Sequence, residues 1–212
     1  MGQGASMLIT RYAKIVMTLC LAVYCLLVAF DNITDYGTNY LFVQHVMSMD
    51  TTYPGNALMY RSVTHPTLWT LCYWLIIAAE AVAGILFLAG AIRLFQVRHA
   101  PGPIFNQAKG LVVMAALLAF LLWFFGFMVI AGEWYAMWQS QTWNGQDAAF
   151  RFYVTVLAVL IFVNQADGDV AEVPSNVPTK APANKAAAPQ RKSGRAPARR
   201  RTDKGRRKAD TK

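Results

Sequence analysis

One carboxyl stands where carboxyls are rarely tolerated: Glu80 is thirteenth in the 25-residue apolar run from Leu68 to Ile92. A charge at the centre of a membrane-crossing helix costs about 2.5 to 3.5 kcal/mol on insertion scales, so the side chain is expected to turn toward other helices. No Lys, Arg or His shares its depth, and burial without a cation favours the neutral acid. Matching depths across the neighbouring apolar runs brings Tyr24, Trp123 and Thr155 to about its level and nominates them as hydrogen-bond partners. Two chemistries fit such a group: a neutral carboxyl that ties helices together, or a titrating station in proton or ion transfer. The other apolar runs carry no second carboxyl or histidine, which weighs against a relay.

The remaining chemistry-bearing residues form no motif. His45, Asp50 and His65 match no metal-ligand spacing, and no histidine lies inside an apolar run to serve as a haem ligand. Met17, Met114 and Met128 read as gap-filling core. Cys20, Cys25 and Cys72 fall in or beside apolar runs without a CxxC pair, as buried thiols do. No nucleophile and base pair or phosphate-binding loop is visible, so neither an enzyme nor a cofactor is expected.

The elements around these residues are set by composition. At 56% hydrophobic and 15% charged, the 212 residues depart from a soluble protein's mixture and point to a membrane. Residues 165–212 carry 13 Lys and Arg against 5 Asp and Glu, so most of the +9 net charge belongs to a tail. Four runs read as membrane helices, at about Ala13 to Phe30, Leu68 to Ile92, Gly110 to Gly132 and Ala148 to Asn164. The expected fold is therefore all-α, a four-helix transmembrane bundle over 1–166. Beyond it, 167–212 is a Lys-, Arg-, Pro- and Ala-rich tail, expected to be disordered and drawn to anionic lipid. With no interleaved aromatics, the tail gives no basis for sequence-specific nucleic-acid binding.

Arg11, Lys14, Arg93, Arg98, Lys109 and the tail all fall on one side of this topology. Both termini are accordingly expected to be cytoplasmic. The opposite side holds two connections forming a small cap. In Asp31 to Thr67, NYLFVQHVMSM (39–49) has the pattern of a short interfacial helix, with Thr38 or Asn39 as N-cap, and 55–63 has room for a further turn. In the other connection, Trp134, Tyr135, Trp138 and Trp143 crowd together. Such rings form an interfacial aromatic belt or, with Trp134 and Trp138 four apart on one helical face, anchors for a partner.

The stretches DNITDYGTNYLFVQHVMSMDTTYP (31–54), YWLIIAAEAVAG (73–84), GEWYAMWQSQTWNGQ (132–146) and AFRFYVTVLAVLIFVNQ (149–165) resemble a bacterial family of small integral membrane proteins of unknown function. The resemblance covers about residues 7–169. It implies a multi-pass protein of the bacterial inner membrane and carries over no functional residue. The expected role is a non-catalytic accessory or scaffolding subunit that docks against other membrane proteins or itself; the alternative is a small proton- or ion-coupled transporter or channel using Glu80.

Overall fold

The computed structural model describes residues 3–170; the basic tail from 171 onward lies outside the described residues. Among the described residues every regular element is helical: α1 (Gln3–Thr34), α2 (Tyr36–Ser48), α3 (Pro66–Gln96), α4 (Gly102–Gln107), α5 (Gly110–Phe120) and α6 (Gln146–Asn164). From Leu121 to Trp134 the helix of α5 continues with π-type bonding, each N–H reaching five residues back, and Tyr135 N–H closes it on the Ile130 carbonyl at 3.0 Å. Runs of this kind usually last one turn. Nothing in LLWFFGFMVIAGEW signals the change.

Four of these helices are long and apolar enough to cross a membrane. The shortest, α6, has 19 residues, about 28 Å of rise, close to the hydrocarbon thickness. Large apolar side chains such as Val23, Leu27, Leu75, Ile85, Leu117, Phe125 and Ile161 point outward, a surface that water would penalise and lipid would not.

The spans form a closed ring in which α1 lies against α3, α3 against α5, the π continuation of α5 against α6, and α6 against α1. Small residues set their spacing. A Cβ on Gly84 would come within 2.7 Å of Leu26 Cγ and 3.0 Å of its backbone nitrogen, and one on Gly90 within 2.9 Å of Val112 Cγ2. Ala83, Ala115 and Ala119 are fully buried alongside. Where no hydrophobic effect operates between helices, this close packing is what holds them.

The first span runs further than its apolar stretch because its basic residues are absorbed into the protein. Arg11, Lys14 and Lys109 are buried at one end of the bundle. Asp167 Oδ2 accepts from Lys14 Nζ at 2.6 Å and from Lys109 Nζ at 2.5 Å, while the Gln165 carbonyl accepts from the same two amines at 2.7 and 2.6 Å. Arg11 donates to the carbonyls of Arg98, Ala100 and Gly168 at 2.8, 2.7 and 2.7 Å, its guanidinium over the Phe105 ring. Asp167, assigned to the tail by composition, thus packs against the bundle. Asp167 is buried, and the Asn106 side chain both donates to its carbonyl and accepts from its N–H.

Two stability outcomes follow. Gly84→Val forces α1 from α3 and should cost about 1 to 3 kcal/mol, lowering the thermal midpoint of the detergent-purified protein, whereas Gly37→Ala, with open space around it, should not. Asp167→Ala strands two buried ammonium groups and should cost about 3 kcal/mol or more in the same melt.

Candidate functional site

Glu80 faces the bundle, as its cost in lipid requires, and is 2% exposed. Its Oε2 accepts from Asn32 Nδ2 at 2.7 Å. The Tyr73 hydroxyl donates to the Asn32 carbonyl at 2.8 Å and lies 3.3 Å from Asn32 Oδ1, which orients the amide so that its NH₂ meets the carboxyl. Tyr73 stands two turns before Glu80 on α3, so α3 grips the last turn of α1 from two levels.

This changes the depth of the carboxyl. Asn32 is two residues from the end of α1, about 3 Å of helical rise, so Glu80 stands level with the last turn of that helix. It is central in α3 by count, yet it lies toward the cap end of the bundle, because α3 begins well beyond the level at which α1 stops. A cavity of about 220 Å³ adjoins it, walled by Asn39 and Val43 of α2 and by Gly145, Ala148 and Ala149 at the start of α6. In the opposite direction the core is apolar: Ala22, Cys25, Ala83, Phe87, Ala115 and Ala119 are buried between Glu80 and the Asp167 network.

Of the partners nominated by depth, Trp123 lines the Glu80 cavity but neither Tyr24 nor Thr155 bonds the carboxyl. Thr155 is exposed and donates to the Arg151 carbonyl at 2.7 Å, the backbone contact one turn back that threonine commonly makes in helices. Tyr24 is 41% exposed and meets Phe152, whose ring stacks on Trp123 at 4.6 Å. Spacing gave neither the stagger of the helices nor their rotation: Glu80 stands level with Asn32 rather than with Tyr24, eight residues earlier on α1. Asn32 was missed because it follows the apolar run and looks like loop.

The cap is built from both connections. The helix α2 starts at Tyr36 rather than 39 and carries no side-chain cap bond; Thr38 instead donates to Asp35 Oδ1 at 3.0 Å. A single 3₁₀ turn, Met59–Arg61, occupies the following stretch. Gln139 and Ser140, both buried, pin the two connections together. Gln139 Oε1 accepts from Tyr53 N–H at 3.1 Å and Asn56 Nδ2 at 3.0 Å, and Ser140 Oγ accepts from Thr51 at 2.8 Å.

Trp134 and Trp138 do not share a helical face. The helix ends at Trp134, and Ala136 takes a left-handed conformation at φ 50° before the 3₁₀ turn Met137–Gln139. Both rings are nonetheless half exposed, Trp134 under the Arg61 guanidinium at 4.6 Å and Trp138 edge-on to Tyr53 at 5.9 Å. The other two aromatics turn inward: Trp143 stacks on His45 at 4.7 Å, and Tyr135 lines an apolar groove between α2, α3 and the π segment. His45 Nδ1 pairs with Asp50 at 2.9 Å, while His65 caps α3 through Thr67 N–H, so the three residues weighed as a metal set are not one. Among the described residues no three His, Cys, Asp or Glu side chains could hold a metal together.

No curated protein and no solved structure matches the chain. Residues 10–166 match the family described as "Predicted small integral membrane protein (DUF2165)". With that match spanning all four apolar helices, the chain belongs to this family of small integral membrane proteins.

Proposed function

We infer that the protein is a non-catalytic accessory or scaffolding subunit of a bacterial inner-membrane complex, and that it docks through its cap. The observation that carries this is the exposed aromatic surface of Tyr53, Tyr60, Trp134 and Trp138, presented on two connections that Gln139 and Ser140 lock together. Aromatic anchors with Arg61 among them are the residue types that dominate binding energy at interfaces, and a surface already fixed loses little freedom on association. An interfacial belt alone needs rings at the right depth but no such fixation.

The gathering of Arg11, Lys14, Arg98 and Lys109 at the other end supports placing both termini in the cytoplasm. The basic tail adds attraction to anionic lipid there. A second reading, a small proton- or ion-coupled carrier, draws on the cavity beside Glu80. It is disfavoured by the core between Glu80 and the Asp167 network, where no second carboxyl or histidine is buried among the described residues.

Gentle extraction of the tagged protein should recover a discrete neighbour. Replacing Trp134 and Trp138 with Ala should release it, at about 2 kcal/mol or more for each anchor, without altering the thermal midpoint; a neighbour retained by the double variant would refute docking through this surface. Glu80→Gln should keep the neighbour, whereas a carrier would lose pH-dependent flux in proteoliposomes. A reporter fused after Lys212 should be protected from periplasmic reagents, and its accessibility would overturn the orientation.

A further inference from the structure

The cavity beside Glu80 pairs a carboxyl group with a set of aromatic rings, and docking through the cap makes no use of it. Glu80 Oε2 is held by Asn32, while Oε1 makes no hydrogen bond among the described residues. Phe42, Tyr73, Trp123, Phe127 and Phe152 line the same space. Asn39, Gly145 and Ala148 form its cap-side wall, so its polar end faces the connections rather than the apolar core.

The geometry points to a binding site for a small organic ammonium ion, its charge against Glu80 and its carbon substituents against the rings of Trp123, Phe127 and Phe152. Three classes of ligand fit less well. An anion would meet the carboxylate. A neutral apolar molecule would leave Glu80 Oε1 without a polar partner. A hard metal cation needs about six or more oxygen ligands, and beyond Glu80 the wall offers only Asn39, the Tyr73 hydroxyl and an Asn32 oxygen already near that hydroxyl. An alkylated ammonium is attracted both to carboxylate and to aromatic rings. The volume of about 220 Å³ leaves room for a compact cation and lies below the range usual for drug-sized ligands.

The full-length protein in detergent is titrated with tetramethylammonium chloride, following its thermal midpoint and the intrinsic fluorescence to which Trp123 contributes. Sodium chloride at equal concentration controls for salt, and tert-butyl alcohol serves as an uncharged compound of similar shape. The expected result is saturable stabilisation by tetramethylammonium alone, with an apparent affinity weakened by at least about tenfold in Glu80→Gln. The Trp134→Ala/Trp138→Ala variant should bind the probe normally, so loss of docking and loss of this site are separable. A wild-type protein that shows no saturable response, or answers tert-butyl alcohol equally, overturns the proposal, as does unchanged affinity in Glu80→Gln. Should that variant not fold, the comparison of the three probes on the wild type decides.

Discussion

Lipid supplies no hydrogen-bond partners, so a polar group carried into the bundle must be answered from within the chain. The protein meets this constraint at two levels. At one end Asp167 and the Gln165 carbonyl gather Lys14 of α1 and Lys109 beside α5. Toward the other, Asn32 answers Glu80 and is itself fixed by Tyr73. Both sets cross between helices, so each converts a desolvation cost into a constraint on how the helices sit. The Gly84 and Gly90 approaches then hold α3 close to α1 and α5 between the two levels.

What the sequence disclosed follows from the same physics. Four runs of sufficient length and apolar character are hard to mistake, because lipid rejects any other reading of them. That Glu80 would turn inward was legible for the same reason. Its partner was not, because spacing along one helix gives neither its stagger against a neighbour nor its rotation, and Asn32 lies beyond the apolar stretch that marks the first span. The buried role of Arg11, Lys14 and Lys109 was hidden too. Basic residues flanking a span look alike in sequence whether they meet water, backbone carbonyls as Arg11 does, or a carboxylate 153 residues further on as Lys14 does. Trp134 and Trp138 were misplaced on one face because the left-handed turn at Ala136 has no glycine to announce it.

The cap shows how exposure and rigidity can be separated. Trp134 and Trp138 are half exposed, yet the segment that carries them is fixed by buried Gln139 and Ser140 and continued by Trp143 stacked on His45. Flexible aromatic loops would lose conformational freedom on meeting a partner; here much of that cost is met in the free protein. Rings held in this way suit recognition better than simple anchoring, which a mobile loop at the same depth would also provide.

The position of Glu80 bears on what a carboxyl in this bundle can do. A group at the exact midpoint of a membrane, reachable from both faces, suits transfer across it. This one lies level with the end of α1, beside a cavity on the cap side, with buried alanines, Cys25 and Phe87 filling the bundle beyond. Proton or ion transfer through such a core would need carboxyl or histidine stations, and among the described residues none is buried there. A one-sided carboxyl next to aromatic walls has the attributes of a receptor for a cation that enters and leaves by the same side. On that argument the acid and the tryptophan-rich cap are two features of one end of the bundle, and the charged network at the opposite end serves to anchor it.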